Sequence, residues 1–474
     1  MRTLTAGKLC TVIGGKLING NPEVKVKGIM SKCDSVIPGL SYFDVKGGKG
    51  GDRNILEAIK NGAVAIVISK HKKVLPFEDK EFPVISVPKL WEAFWKAVTY
   101  YRNLCDIPVV GVTGTSGKTT TKEMLSSIFS RRWRVLKTLG NLNLPDFVPS
   151  HIMRLRYGYQ AAVFEIGMNR PGQIAKQARI IQPKVGVITH IGTGHIEHLG
   201  SYENVILEKS GIIQGIPDDG FLVLNVDDPA TGKIDISGFK GRIIYYGLKN
   251  QADFMAEKIE YKDEGTFFTA LINGIPNRFF IPTFGQHNVY NALAAIAVAR
   301  VYDFDIKTIR LGLGSYRKPH MRLQIVKGIR NCKLINDTYN ANPDSMMAGL
   351  EVLATLAKGR TSVAVLGNML EQGTFAIENH RRVGEKAADL KVDWLITVGT
   401  LAKEIAKGAT AKSKDMKIWS FRLKSQAIPF LRKSLPEESV ILIKGSRGSY
   451  MERLVKELKE LKELPLTQFV NGKG

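Results

Sequence analysis

Short runs of consecutive apolar residues recur along the chain, separated by stretches with helical spacing. Val109–Val112, Ala161–Phe164, Val185–Thr189 and Phe221–Leu224 form one set of such runs. Strands covered on both faces read this way, and strands alternating with helices pair mostly in parallel through right-handed crossovers. A second set, Lys333–Ile335, Ser362–Leu366, Trp394–Val398 and Val440–Ile443, predicts a second doubly wound sheet. Ahead of both lie the run Ala63–Ile68, a glycine-rich loop at Gly47-Gly48-Lys49-Gly50-Gly51, and an aromatic-rich stretch, Leu90–Tyr101, spaced as a helix. Asn288–Val301, rich in alanine, and Tyr450–Leu464, amphipathic and charged, also read as helices. The pattern predicts an α/β fold in three parts. A small N-terminal α/β domain covers 1–105, a central domain with a mostly parallel sheet covers 106–316, and a C-terminal Rossmann-like domain covers 317–474.

The length of 474 residues fits three domains at about 150 residues each. No apolar run approaches the roughly 20 residues that span a bilayer. The start, Met1-Arg2-Thr3-Leu4-Thr5-Ala6, lacks the apolar core of a signal peptide. A cytoplasmic location is therefore expected. Cys10, Cys33, Cys105 and Cys332 stand at neither metal-ligand nor disulfide-framework spacing. The net charge of +24 favours anionic partners. The lysines are dispersed, however, and neither zinc-finger spacing nor the aromatic signature of an RNA-binding sheet is present. Small anionic molecules are thus expected as partners rather than nucleic acid, with at most weak association with anionic surfaces.

The strongest local signal is Val109-Val110-Gly111-Val112-Thr113-Gly114-Thr115-Ser116-Gly117-Lys118-Thr119-Thr120. An apolar strand runs into a glycine-bearing turn and then a helix starting near Lys118. Backbone N–H groups of such a turn, with the helix N-terminus, make an anion nest for phosphates. Gly114 to Thr120 would cradle ATP, with Lys118 on the β- and γ-phosphates and the Thr119 hydroxyl on Mg²⁺. Val112 stands where the general pattern has glycine, so the motif is the shorter TGTSGKTT form. Glu165 falls at the end of the next apolar run, where a carboxylate is placed to hold Mg²⁺.

Further motifs follow in order: Phe164-Glu165-Ile166-Gly167-Met168-Asn169; Gly194-His195-Ile196-Glu197-His198-Leu199-Gly200-Ser201; Gly285-Gln286-His287-Asn288-Val289-Tyr290-Asn291; Ile335-Asn336-Asp337-Thr338-Tyr339-Asn340-Ala341-Asn342-Pro343-Asp344-Ser345-Met346; Leu366-Gly367-Asn368-Met369-Leu370-Glu371; and Ile443-Lys444-Gly445-Ser446-Arg447-Gly448. Together with the phosphate loop they resemble the Mur ligase family, well over about residues 106–455 and more weakly before. The resemblance implies ATP-dependent amide formation through an acyl phosphate. The implied donor is a UDP-N-acetylmuramoyl-tripeptide and the implied amine is D-alanyl-D-alanine, in peptidoglycan precursor synthesis. It also implies that the first domain takes the uridine nucleotide, the second ATP, and that the third closes over both.

The same resemblance implies site roles. His195 would assist a second Mg²⁺, and Lys209 would carry a carbamate that bridges the metal ions. Such a lysine must first be neutral, which burial favours. Asn288 and Asn291 would approach adenine. Arg322 would cross to the ATP phosphates, and Asp337 and Tyr339 would hold the ribose and base region. Lys444, Ser446 and Arg447 would face substrate carboxylates, with Asn340 beside them. Asn141 and Asn143 would line the acceptor side, and Ser31 would face the nucleotide sugar. The chain departs from the family pattern at Lys32, at Gly51-Asp52-Arg53, at Leu144 and at Phe147. Two other readings follow: a paralogue that ligates a different amino acid or peptide, and a non-catalytic nucleotide-binding partner of a cell-wall complex. Lys118, Glu165, His195 and Lys209 together argue against the second.

Overall fold

A computed structural model describes residues 3–45, 51–72, 78–194, 196–262 and 264–460. Most of the Gly47–Gly51 loop and His195 lie outside the described residues. The chain builds a mixed α/β architecture on three main sheets, with a two-stranded pair, Leu4–Thr5 and Lys25–Val26, at the start. The first main sheet has the order Lys16–Asn19, Val84–Val87, Ala65–Ser69, Leu40–Phe43, Gly28–Met30, parallel except for its first strand. Among the described residues no helix is long and apolar enough to cross a membrane.

The central sheet runs Val135–Lys137, Ala161–Glu165, Val109–Thr113, Val185–Ile188, Phe221–Asn225, Arg242–Gly247, Phe254–Lys262, all parallel. Gly265–Ile272 and Ile275–Ile281 extend it antiparallel. Val109–Thr113 is buried along its whole length between its two neighbours, so consecutive apolar residues are required there. The pairing sets Glu165 opposite Val112 and Ile188 opposite Thr113. The loops after three adjacent strands therefore leave the sheet at one edge, which is where open parallel sheets bind ligands.

The last sheet has the order Gln324–Lys327, Lys333–Asp337, Val440–Lys444, Ser362–Gly367, Trp394–Val398, Lys417–Phe421. Only Gln324–Lys327 is antiparallel. Asp337 and Lys444 are register partners, so both sit at the carboxyl edge of this sheet.

The helices over Leu90–Asn103 and Gln286–Val301 match the sequence expectation. The last described helix, Glu452–Leu458, is shorter than the expected Tyr450–Leu464, whose final residues lie outside the described ones. Phe254–Lys262, Gly265–Ile272, Ile275–Ile281, Gln324–Lys327 and Lys417–Phe421 were not legible as strands. They lie toward sheet edges, and polar residues interrupt their apolar stretches, as Glu257, Lys258, Glu260 and Lys262 do in Phe254–Lys262.

Arg102 joins the first domain to the second. Its Nε donates to the Ile181 carbonyl at 2.6 Å, Nη1 to Cys105 at 2.8 Å and Nη2 to Gln182 at 3.2 Å, in a buried setting. Arg102→Met would leave three carbonyls without this donor. It is expected to cost about 3 kcal/mol in urea unfolding; a change below about 0.5 kcal/mol would contradict that role.

Candidate active site at the phosphate loop

The turn after Val109–Thr113 passes through Gly114 and Gly117 into the helix Lys118–Phe129. Gly117 has φ +89°, and a Cβ there would stand 2.4 Å from Asn291 Oδ1. Gly117→Ala is therefore expected to weaken nucleotide binding at least about tenfold, by strain and by displacing Asn291. Calorimetric titration with ADP measures this, and unchanged affinity would count against the turn as the phosphate cradle.

Lys118 Nζ is held over this turn, donating to the carbonyls of Gly114 at 2.7 Å and Thr115 at 3.0 Å. Burial pushes its pKa down to about 8; Glu165 pulls it back up and Arg322 lowers it further. It is thus still mainly a cation at neutral pH.

Glu165 Oε1 accepts from Thr119 Oγ1 at 3.1 Å and from Asn143 Nδ2 at 2.8 Å, and the carboxylate is almost wholly buried. Its Oε2 lies 3.3 Å from Lys122 Nζ. Among the described residues no three His, Cys, Asp or Glu side chains cluster as a metal cage. The donors on offer are one carboxylate and one hydroxyl beside a phosphate cradle. That oxygen set fits Mg²⁺, which shares its shell between one or two protein oxygens, phosphates and water.

The third domain closes on this loop. Arg322 Nη2 donates to Thr119 Oγ1 at 3.2 Å, and its guanidinium lies 4.3 Å over the Tyr339 ring. Asn342 Nδ2 donates to Ser116 Oγ at 3.2 Å. His190, at the carboxyl end of Val185–Ile188, meets Asp228 Oδ2 at 3.1 Å and Asp344 Oδ2 at 3.4 Å. Burial opposes charge on this imidazole, but its hydrogen bonds to the two aspartates and their charges outweigh burial and push its pKa up to about 10. His190 is therefore an imidazolium that ties the central sheet to the helix Pro343–Leu356. Gly192 permits the approach, since a Cβ there would stand 1.9 Å from Asp344 Oδ2.

One cleft of about 1230 Å³ gathers most of the residues singled out in the sequence: Thr115 to Thr120, Asn141, Asn143, Glu165, Lys209, Asn288, Asn291, Arg322, Asp337, Tyr339, Asn340, Lys444, Ser446 and Arg447. Gly114, within the turn, does not line the cleft. Ser31 follows the strand Gly28–Met30 of the first sheet, away from it. Asn288 and Asn291 are engaged with the chain itself. Asn288 Nδ2 donates to the Phe284 carbonyl at 2.7 Å, its Oδ1 accepts from Asn291 at 3.1 Å, and Asn291 Oδ1 accepts from Thr121 at 3.3 Å. Lys444 Nζ donates to Asp337 Oδ2 at 2.6 Å and to the Asn340 carbonyl at 3.0 Å. Ser446 Oγ donates to the Ala341 carbonyl at 3.1 Å and accepts from Leu370 N at 2.9 Å. Lys444 and Ser446 thus brace the loop 337–341, while Arg447, half exposed, pairs with Glu452 at 3.2 Å and donates to Met321 Sδ at 3.4 Å.

Sequence reading took His190 as a structural histidine without a partner and missed Asp228, Asp344 and Lys122. His190 and Asp344 stand inside quoted or neighbouring motifs, but nothing local marks them as partners across 154 positions. Lys122 had one usable signal: it is four residues beyond Lys118 on one helix face.

Comparison with known proteins agrees with this geometry. The family model of the Mur ligase middle domain matches residues 112–299, and that of the Mur ligase glutamate ligase domain matches 321–447. The chain is 31% identical to the UDP-N-acetylmuramoyl-tripeptide–D-alanyl-D-alanine ligase of Bacillus subtilis, over 96% of this chain and 98% of that protein. A crystal structure of MurF from Acinetobacter baumannii superposes with a TM-score of 0.85 at 30% identity, covering 97% of this chain and 99% of that one. The MurF ligase of Thermotoga maritima, solved in complex with ADP, gives 0.77 at 26% identity over 91% and 96%. Motifs, three-sheet architecture and full-length similarity converge: the chain belongs to the Mur ligase family.

Proposed function

We propose that this chain is an ATP-dependent ligase that joins the terminal carboxylate of UDP-N-acetylmuramoyl-tripeptide to the amine of D-alanyl-D-alanine, forming ADP and phosphate. The observation that carries the reading is the reach of Arg322 from the last sheet to Thr119 on the phosphate loop. It brings the carboxyl edges of two sheets to one cleft, where a carboxylate and an amine can meet the phosphoryl group of ATP.

A carboxylate is a poor acyl donor at neutral pH. In the first step a carboxylate oxygen of the donor forms a bond to the γ-phosphorus, and the bond to ADP breaks. Lys118 and Arg322 neutralise charge on the transferring oxygens, and the turn 114–117 holds the remaining phosphates. Mg²⁺, when held by Glu165 and Thr119, supplies further neutralisation. The amine then attacks the acyl carbon and phosphate leaves from the tetrahedral intermediate. The contacts Asn342–Ser116, Asp344–His190 and Arg322–Thr119 keep the cleft closed, which excludes the water that would hydrolyse the acyl phosphate.

We also propose that Lys209 is carbamylated. It is wholly buried on the helix Tyr202–Ser210 and lines the same cleft. Burial, with Lys118 nearby and only Glu208 opposing, lowers its pKa to about 7. A neutral amine can add to CO₂ and release a proton, leaving a carboxylate that would offer an oxygen ligand to a second Mg²⁺.

The reading is tested by phosphate release from purified protein with the nucleotide tripeptide and a panel of amines. D-alanyl-D-alanine should support turnover at least about a hundredfold above single amino acids. Turnover with some other acceptor alone would make the chain a paralogue. Absence of turnover with every pair would leave a binding protein.

A further inference from the structure

Lys122 stands one turn beyond Lys118 and has no exposed side-chain surface. Its Nζ lies 3.2 Å from Glu123 Oε1 and 3.3 Å from Glu165 Oε2. It also donates to the Thr138 carbonyl at 2.9 Å and reaches the Gly140 carbonyl at 3.4 Å. Desolvating an ammonium this fully is costly, and such a group persists where its partners are all fixed. The mechanism above makes no use of it.

Its partners say what it holds. Glu165 has two faces. Oε1 is met by Thr119 and Asn143, whereas Oε2 is buried, accepts no hydrogen bond among the described residues and has the Lys122 ammonium 3.3 Å away as an ion pair. Thr138 and Gly140 are the root of the loop that carries Asn141 and Asn143 into the cleft. Backbone and side-chain bonds also hold this loop: Thr138 N donates to Val163 O at 3.2 Å and Glu165 N to Thr138 Oγ1 at 3.0 Å at its root, His151 Nε2 meets the Leu142 carbonyl at 2.9 Å, and the Asn143 carbonyl accepts from Gly167 N at 2.8 Å. Among these contacts only Lys122 reaches the Thr138 and Gly140 carbonyls and the Glu165 carboxylate together. One ammonium therefore contacts both the carboxylate that would hold Mg²⁺ and the root of the loop that lines the cleft.

We infer that Lys122 is a positioning residue that locks the 138–143 loop to Glu165, so that the donor carboxylate and the phosphoryl group are held in register. Its side chain does not line the cleft. The kinetic part of the inference rests on the ligase reading above, while the structural part holds for any substrate.

The test compares Lys122→Met, an apolar side chain of similar length, with Lys122→Arg. Glu123 keeps Lys137 as a partner in both. In Lys122→Met, backbone hydrogen exchange over 139–143 should quicken at least about tenfold relative to the helix Gln286–Val301. The kcat/KM for the peptide donor should fall about a hundredfold, as for a misplaced reacting group, with KM for ATP within about threefold. Lys122→Arg should be intermediate in both readouts. Exchange and donor kcat/KM both within about threefold of the parent would overturn the inference. So would an equal loss in the ATP and donor parameters, which would mean general damage to the phosphate loop. Should Lys122→Met fail to fold, Lys122→Arg decides on the same readouts. Should the parent prove inactive on the proposed substrates, hydrogen exchange still decides, so failure of the functional reading and failure of this inference are told apart.

Discussion

Lys118→Ala is expected to lower ligation at least about a thousandfold, the scale of a cation that neutralises a transferring phosphoryl group. The fold should persist, because the bonds lost are to two carbonyls of its own turn, Gly114 and Thr115, which water can then reach. A second effect follows from charge. Lys118 is one of the causes that depress Lys209, so its removal should let the Lys209 pKa rise. Lys118→Ala should therefore damage both phosphate neutralisation and the neutrality of the lysine proposed to carry the carbamate. Steady-state kinetics with far-ultraviolet dichroism as the folding control measure the outcome. Activity within about tenfold of the parent would remove Lys118 from the reaction.

Lys209→Ala is the other large effect: ligation should fall at least about a thousandfold, with partial recovery on addition of formate or acetate. The size follows from the loss of a metal-facing carboxylate, and the recovery from a small carboxylate entering the space vacated. The parent protein makes a matching pH prediction. Carbamylation needs the neutral amine, and the Lys209 pKa lies at about 7. At fixed dissolved CO₂, the carbamate mass seen in the intact protein should therefore grow as pH rises through about 7 and shrink below it. An unchanged mass across that range, with no rescue of the variant by carboxylates, would contradict the proposal.

What could be read from sequence depended on whether the physics was local. Val109–Thr113 and Val440–Lys444 are buried on both sides, so burial forces apolar runs that stand out in the chain. Phe254–Lys262 is half wet, and its Glu257, Lys258, Glu260 and Lys262 break the run. The phosphate turn was legible because one contiguous segment supplies the strand, glycines, lysine and threonine. Arg322 meets Thr119 across 203 positions, and no spacing rule links them; only family resemblance pointed there. The imidazolium between Asp228 and Asp344 was invisible for the same reason. Lys122 was hidden among 68 Lys and Arg residues, since its identity as a buried cation appears only once Glu165 and Thr138 are placed beside it. Lys444 adds a contact that its sequence position did not show: while lining the cleft, it also donates to Asp337.

The most direct measurement is a mass spectrum of one reaction: purified protein, ATP, Mg²⁺, D-alanyl-D-alanine and UDP-N-acetylmuramoyl-tripeptide labelled with oxygen-18 in the reacting carboxylate. The account predicts the pentapeptide nucleotide together with phosphate that carries one labelled oxygen, because that oxygen bonds to phosphorus in the acyl phosphate and leaves with it. Ligated product with label-free phosphate, or phosphate release without ligated product, would contradict it.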